Sequence, residues 1–294
     1  MLWRSPWPSR SFGTDRASWR VPLHPLVTYD RTATRITTAP RFERYVAIGD
    51  SSTEGLDDPD GQGGYRGWSS RLAERIARRQ GRLLHANLAV RGRTTRQIRE
   101  QQLERAAAMN PDLATVFSGT NDVFQPRFDA DRLGADIDLM QRTLVAGGAT
   151  VLTFTLPDLT PIMPLARPLA PRIHALNDAL RSVSRATGTI LVDFAAHPGA
   201  TDPRLWSEDR FHANSRGHAL IAEALAHALG LPGSDDAWMR PLPFEAPPGP
   251  RARITAELRW IRRHVMPLMW RRPGGPPMED FRGKQPELRP VETG

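Results

Sequence analysis

Short apolar runs alternate along the chain with longer segments in which apolar residues recur every three or four positions. The short runs predict five strands, at residues 45–48, 83–88, 113–118, 150–155 and 189–193. The longer segments predict helices at residues 67–79, 95–108, 131–146 and 170–186, with a last helix near 215–229. Apolar strands separated by helices indicate a parallel sheet covered on both faces. We therefore predict an α/β fold, a three-layer α/β/α sandwich with a five-stranded parallel sheet in flavodoxin-like order.

This alternation is confined to the middle of the chain, which sets the expected boundaries of its parts. Residues 41–232 form the predicted folded domain. Residues 1–40 mix Trp, Pro, Arg and Thr without a period and predict a poorly ordered N-terminal extension. Residues 233–250 contain five prolines and predict a linker, and residues 273–294 predict a disordered tail.

Residues 251–272 predict a basic amphipathic helix, interrupted near Pro267. Its apolar residues recur at helical spacing, with arginines on the other faces: Ile254, Leu258, Ile261, Val265 and Leu268. Packing of the apolar face on the folded domain is the favoured interpretation. The pattern also fits peripheral membrane contact through residues 253–272 or, less well, contact with nucleic acid.

The positive charge of the chain is concentrated at its two ends. The net charge of the 294 residues is +8, of which residues 1–44 contribute +5 and residues 251–294 another +5. Residues 45–250 therefore carry −2. Because the basic residues lie outside the folded domain, we expect no nucleic-acid partner for that domain.

Composition also limits the chemistry. The chain has no cysteine, which excludes disulfides and thiolate nucleophiles. No stretch has the length and apolarity of a spanning helix, and the start lacks the apolar core of a secretory signal, so we expect a cytoplasmic protein. No His/carboxylate cluster has zinc spacing, and the acidic loop with Asp57, Asp58 and Asp60 lacks the EF-hand pattern. We expect no metal, no cofactor and a solvated acidic loop.

Polar residues follow the first three predicted strands, at the edge where ligands bind to parallel sheets. Ser51 stands in a Gly-Asp-Ser turn after the first strand, where Asp50 is expected to cap the turn. Gly92 follows the second strand, and Asn121 follows the third. The N–H groups of Ser51 and Gly92 and the Asn121 amide would together form a three-donor oxyanion hole.

A histidine and a carboxylate near the last helix supply the groups that a serine nucleophile needs. Asp209 and His212 lie three residues apart in a loop, so the carboxylate can meet Nδ1 while Nε2 points at Ser51. This predicts a triad in the chain order Ser51, Asp209, His212. His218, just beyond an expected cap at Asn214 or Ser215, is predicted to be structural.

These four blocks resemble the SGNH (GDSL-like) hydrolase superfamily over about residues 44–230. The matching residues are Gly49-Asp50-Ser51, Gly92, Gly119-Thr120-Asn121-Asp122 and Asp209-Arg210-Phe211-His212. The resemblance implies that Ser51 is the nucleophile, His212 the base and Asp209 its orienting group, with Gly92 and Asn121 in the oxyanion hole. Ser52 stands where the family's short name has leucine.

The resulting hypothesis is an esterase or lipase-like enzyme that cleaves a small-molecule carboxylic ester through an acyl-enzyme on Ser51, without a cofactor. Loops 53–66, 122–131 and 156–170 are expected to line the pocket, with an apolar wall formed by Phe124, Leu159, Ile162 and Met163. The alternative is a non-catalytic binding or scaffold protein on the same fold, whose basic C-terminal helix contacts a membrane or a partner.

Overall fold

A computed structural model describes residues 40–246, 249–266 and 283–292 of the chain. Except for Pro40, the predicted N-terminal extension at 1–40 lies outside these residues. The same holds for residues 267–282, which cover the end of the predicted basic helix and the beginning of the predicted tail.

The sheet has six strands in the order β5-β4-β3-β1-β2-β6. Its strands are β1 Arg44–Gly49, β2 Leu84–Asn87, β3 Leu113–Phe117, β4 Thr150–Phe154, β5 Ile190–Val192 and β6 Gln285–Pro290. Strands β1 to β5 pair in parallel, as the sequence predicts. In register, Val46 of β1 lies beside Ala86 of β2 and Ala114 of β3, so β1 is central.

Strand β6 was not predicted, and it corrects the prediction of a disordered tail at 273–294. It pairs antiparallel with the edge strand β2, with Leu84 opposite Pro290 and His85 opposite Arg289. Its sequence contains two prolines and charges of both signs, which is not the usual composition of a strand. Such residues are nevertheless tolerated at a sheet edge. Lys284 precedes the strand, and its Nζ donates to the Arg66 carbonyl at 2.7 Å.

Eight α-helices are described in residues 40–246 and 249–266. They are α1 Ser51–Glu54, α2 Gly67–Gln80, α3 Thr95–Ala108, α4 Thr120–Val123, α5 Ala130–Ala146, α6 Ala170–Thr187, α7 Ser215–Ala228 and α8 Pro250–Trp260. Helices α2 and α7 enclose one core cluster, and α3, α5 and α6 enclose the other. The long helices of the domain begin and end within two residues of the predicted positions.

Alternation along β1 shows why the strand is apolar throughout. Tyr45 and Ala47 belong to the core under α2 and α7, whereas Val46 and Ile48 belong to the core on the opposite face. All four side chains are buried. A central parallel strand buried on both faces has no polar side, which explains the continuous apolar run in the sequence.

Helix α8 continues into a π turn at Ile261–Val265 and contacts the domain mainly through Trp260, which is buried. Ile254 and Leu258 are more than 60% exposed. The favoured expectation that this apolar face packs on the domain is therefore wrong, because the face that packs is the one carrying Trp260. No helix among the described residues is long and apolar enough to cross a membrane.

Candidate active site

Ser51 lies at the carboxyl end of the central strand, as the first residue of helix α1. Asp50 is the N-cap of that helix, and its Oδ1 accepts from the Ser52 N–H at 3.1 Å. Gly49 is required here, since a Cβ would lie 2.7 Å from the Phe117 carbonyl oxygen and against the side chain of Thr53. The strand-to-helix turn thus fixes the position of Ser51 through backbone contacts.

The three residues of the predicted triad form one hydrogen-bonded chain. The Ser51 Oγ is 2.8 Å from His212 Nε2, and His212 Nδ1 is 2.6 Å from Asp209 Oδ2. With its proton on Nδ1, the imidazole donates to Asp209 and accepts from the serine hydroxyl. The structure therefore brings together all three side chains, in the arrangement that a serine nucleophile requires.

The loop 207–212 that carries Asp209 and His212 is closed by its own hydrogen bonds. The Ser207 N–H donates to the His212 carbonyl at 2.8 Å. Asp209 Oδ1 accepts from the N–H groups of Phe211 at 2.8 Å and His212 at 3.0 Å, and from the Ser207 hydroxyl. Arg210 has φ of +62°, an unusual value for a residue with a side chain. The carboxylate is therefore held by the same turn that presents the imidazole.

Helix α8 supports this loop from outside. Trp260 Nε1 donates to the Asp209 carbonyl at 3.2 Å, and the Arg210 guanidinium lies 4.3 Å from the centre of the Trp260 ring. Arg210 also pairs with Glu257, and Arg263 pairs with Glu208 at 3.0 Å. This support cannot be predicted from the sequence, because nothing in the spacing of α8 links Trp260 to residue 209.

Charges around His212 determine its protonation. Burial lowers the pKa of His212, but the hydrogen bond and charge of Asp209 outweigh burial and leave the pKa above its ordinary value, with help from Asp57 and Asp50. Burial raises the pKa of Asp209, but its hydrogen bond to His212 and the charge of His212 dominate, so its pKa is well below the usual range. Asp209 therefore stays ionised while His212 titrates.

Asn121, on the short helix α4, lies between the nucleophile turn and the loop after β2. Its Nδ2 donates to the Arg93 carbonyl at 3.0 Å and to Asp50 Oδ2 at 3.2 Å. Gly92 adjoins Arg93 and has φ of +75°, which favours glycine. The structure thus connects the segments that contain all three predicted oxyanion-hole residues.

Asp122, the residue after Asn121, is hydrogen-bonded to the first residue of helix α3. Its Oδ2 accepts from the N–H of Thr95 at 2.8 Å and from the hydroxyl of Thr95 at 2.9 Å. Thr95 is the first residue of helix α3, directly after the loop with Gly92. Asp122 therefore fastens the glycine loop to helix α4.

Asp50 has a second contact that the sequence does not indicate. Besides capping α1 as predicted, this fully buried carboxyl group contacts the Asn121 amide. Burial raises the pKa of Asp50 to about 7, although the Ser52 N–H and the charge of His212 act in the opposite direction. A buried acid next to two predicted site residues is a signal that only the three-dimensional arrangement reveals.

The expectation of a solvated acidic loop at residues 57–60 is wrong for one of its three aspartates, Asp58. Asp58 is buried and forms a two-point ion pair with Arg71, at 2.7 and 2.8 Å. Asp57 Oδ2 lies 4.0 Å from His212 Nδ1. Asp60 is exposed and caps its own loop through the N–H groups of Gln62 and Gly64.

The oxygen atoms of Asp57 and Asp209 and a nitrogen of His212 lie within 4.8 Å of one another, the spacing of a possible cation site. Both ring nitrogens of His212, however, already participate in the hydrogen bonds to Asp209 and Ser51. A metal at Nδ1 would have to displace the short contact to Asp209. The chemistry of the group is therefore better matched to proton transfer than to metal binding.

His218 is structural, as the sequence predicts. Its Nδ1 accepts from the Trp68 N–H at 3.2 Å, and its Nε2 donates to the Leu56 carbonyl at 2.9 Å. Burial lowers its pKa to about 4, so the ring stays neutral. The ring joins helices α2 and α7 to the loop that follows Ser51.

One apolar cavity adjoins Ser51 and His212, and a second lies near Phe211. The first, of about 60 Å³, runs from the two side chains between the strand ends and helix α7, and its apolar walls include Phe117, Phe154, Phe194, Leu205, Leu220 and Ile221. The second lies beside α6 and is lined by three of the four residues of the predicted apolar wall: Phe124, Leu159 and Met163. Ile162 lies instead in a groove next to α8.

A serine–histidine–aspartate chain at the carboxyl edge of a parallel sheet, beside an apolar cavity, is the arrangement of a serine hydrolase on a three-layer α/β fold. The model of the GDSL-like lipase/acylhydrolase family matches residues 47–220. The chain belongs to this family, and it is a carboxylic ester hydrolase. The helix α8 and the strand β6 lie beyond the matched residues.

Solved structures show the same fold. An α/β hydrolase called LAE5, from the metagenome of Lake Arreo in Spain, is 23% identical with a TM-score of 0.54, over 64% of this chain and 95% of that one. The acetylxylan esterase Axe2 from Geobacillus stearothermophilus is 18% identical with a TM-score of 0.55, over 69% of this chain and 98% of that one. No curated protein matches the chain in sequence.

Proposed function

We propose that the protein hydrolyses carboxylic esters through an acyl-enzyme on Ser51, with His212 as general base and Asp209 as the group that orients it. The observation that carries this proposal is the chain of contacts from Ser51 Oγ to His212 Nε2 at 2.8 Å and from Nδ1 to Asp209 at 2.6 Å. Asp209 holds the Nδ1 tautomer and stabilises the imidazolium that forms during the reaction.

The reaction takes place in two halves. The Ser51 oxygen bonds to the ester carbonyl carbon as its proton moves to His212 Nε2. The C–O bond to the alcohol then breaks, and His212 protonates the departing oxygen. In the second half, water gives a proton to His212 and attacks the acyl carbon, after which the acid leaves and Ser51 regains its proton.

Three donors would hold the oxyanion: the N–H groups of Ser51 and Gly92 and the side-chain amide of Asn121. Neither of these N–H groups donates to another of the described residues. The Asn121 amide has two hydrogens, and the substrate would replace the longer of its contacts, the one to Asp50 at 3.2 Å. Each donor that is fixed before the reaction contributes on the order of 3 kcal/mol to the stabilisation of the transition state.

The acyl group is proposed to be aliphatic or aromatic and longer than acetyl. The support is the cavity that begins at Ser51 and His212, whose walls are mostly phenylalanine, leucine and isoleucine. Such walls favour apolar over polar groups because binding removes apolar surface from water. An acetylated sugar, the substrate class in the name of Axe2, is the competing candidate.

Labelling with a fluorophosphonate tests the role of Ser51. The wild type should be labelled, and Ser51→Ala should not. The variant Ser52→Ala, which changes the neighbouring serine, is the control and should be labelled like the wild type. Peptide mass spectrometry should place the adduct on Ser51. Equal labelling of Ser51→Ala would show that another residue is the nucleophile.

A panel of p-nitrophenyl esters tests the acyl group. We expect kcat/KM to be higher for butyrate and hexanoate than for acetate, because each added methylene is buried against the cavity wall. A maximum at acetate, or faster release of acetate from acetylated xylooligosaccharides, would contradict the acyl-group proposal and leave the role of Ser51 intact.

A further inference from the structure

Helix α8 carries an apolar stripe that faces away from the domain. Ile254, Leu258 and Ile261 follow one another at spacings of four and three, so they lie on one side of the helix. Their exposed fractions are 61%, 63% and 38%. An amphipathic helix on a folded domain ordinarily turns such a stripe toward the core, and here the stripe meets water instead.

The helix is fixed to the domain by different residues. Trp260 is buried, and its indole donates to the Asp209 carbonyl. Two ion pairs, Arg210 with Glu257 and Arg263 with Glu208, add to this attachment. Rotating the apolar stripe onto the domain would break all of these contacts, so the outward orientation belongs to the docked state of the helix.

Arginines border the outward stripe. Arg251 is three residues before Ile254, and Arg262 is four residues after Leu258, which makes each a neighbour of the stripe on the helix surface. Both are exposed, and neither pairs with a carboxylate among the described residues. Aliphatic side chains at the centre with arginines at the margin are the pattern of a helix that lies in a lipid interface. Nucleic acid would instead require the cations at the centre of the exposed face.

We propose that α8 and its π turn bind the surface of a membrane that contains anionic lipid. Ile254, Leu258 and Ile261 enter the boundary of the acyl chains, while Arg251 and Arg262 meet the lipid phosphates. The stripe and its bordering charges carry this inference, which does not depend on the catalytic roles proposed for Ser51, Asp209 and His212.

The location of the helix gives this surface a consequence for the enzyme. The loop 207–212 contacts the helix through Trp260, which lies on another face, so a bound membrane would lie within about one helix diameter, roughly 10 Å, of the loop that carries His212. The enzyme would then work next to a lipid surface, within reach of esters that partition into it.

Co-sedimentation with vesicles tests the proposal, using the full chain. Vesicles contain phosphatidylcholine alone or equal parts of phosphatidylcholine and phosphatidylglycerol. We expect the wild type to bind the second kind and to be released by added salt. The double variant Ile254→Gln and Leu258→Gln should bind at least about tenfold more weakly, because the apolar insertion is lost. Arg251→Gln and Arg262→Gln should each weaken binding about fivefold.

The control is Leu139→Gln on helix α5, which removes a leucine that is 47% exposed far from α8 in the sequence. It should bind vesicles like the wild type, and all variants should hydrolyse a water-soluble ester at the wild-type rate. Equal binding by the double variant, or no binding by the wild type, would overturn the proposal. Two other results would also overturn it. One is light scattering that shows a wild-type dimer and a monomeric double variant, and the other is a wild type that binds duplex DNA but not vesicles.

Discussion

The two halves of the candidate active site are held in place in different ways. Ser51 and Asn121 follow strands β1 and β3, which pair directly with each other in the sheet. Their positions come from strand register and from buried backbone contacts such as that of Gly49. Asp209 and His212 lie in a loop whose shape depends on hydrogen bonds within residues 207–212 and on Trp260.

The two halves therefore differ in how easily the positions of their side chains can change. The strand half is part of the core, so changing its geometry would require disruption of the sheet. The loop half is held by a few polar contacts, each of which contributes about 1 kcal/mol. The same loop carries His212, the proposed base, and Asp209, which is proposed to orient it, so small displacements there should alter rate before they alter stability.

The largest expected effect lies in the loop half. Asp209→Asn leaves the side-chain shape but removes the charge and favours the wrong tautomer of His212. We expect kcat to fall by about 10⁴-fold, with little change in the melting temperature. Steady-state kinetics and thermal unfolding check this, and a loss below tenfold would show that Asp209 does not orient the base.

The corresponding change in the strand half is Asn121→Ala. It should lower kcat by about 10²- to 10³-fold, because one proposed oxyanion donor is lost. It should also destabilise the fold, since Asp50 and the Arg93 carbonyl both lose a buried partner. If kcat were unchanged and stability lowered, Asn121 would have a structural role only. The strand half would then contribute no side-chain donor to catalysis.

The pH dependence of kcat/KM probes the charge around the loop. Only neutral His212 can accept the proton from Ser51, and its pKa is raised above 6.5, so activity should rise with pH through a midpoint above that value. Asp57→Asn removes a negative charge 4.0 Å from Nδ1. The midpoint should then move down by about half a pH unit.

Asp60→Asn is the matched control for that measurement. It changes a carboxyl group in the same acidic loop that caps the backbone and does not contact His212. The pH profile of this variant should coincide with that of the wild type. An upward shift in Asp57→Asn, or equal shifts in both variants, would rule out a direct effect of Asp57 on His212.

The smallest effect is expected from the support outside the loop. Trp260→Phe keeps a ring against Arg210 but removes the hydrogen bond to the Asp209 carbonyl. We expect kcat to fall about threefold to fivefold with KM nearly unchanged. Trp238→Phe, which removes an indole bond to His227 elsewhere in the domain, should leave kcat unchanged.

Much of this arrangement was predictable from the sequence. The five parallel strands follow from short, mostly apolar runs, because a strand that is buried on both faces is apolar on both faces. Ser51, Asn121, Asp209 and His212 could be proposed because strand ends and short loop spacings bring chemistry to one edge of the sheet. Their hydrogen-bond partners within the loop follow from local geometry.

What was missed depends on contacts between distant residues. Strand β6 has the composition of a tail, and only its pairing with β2 makes it a strand. The contact of Asp50 with Asn121 joins residues 71 positions apart. Asp58 is buried because it pairs with Arg71, and the sequence of the Asp58 loop does not predict this ion pair. Such features are set by tertiary packing, which local patterns do not encode.

Strand β6 also provides a chemical reporter of sheet opening. Lys284 is the one lysine in the sequence, and its amine is held against the Arg66 carbonyl. Burial lowers its pKa to about 8, so a share of the amine is uncharged and nucleophilic near neutral pH. Lys284 is partly buried, so detachment of the strand would expose its amine more fully to acylating reagents. The rate of modification at this single side chain, followed by mass spectrometry, would therefore measure how often the edge of the sheet opens.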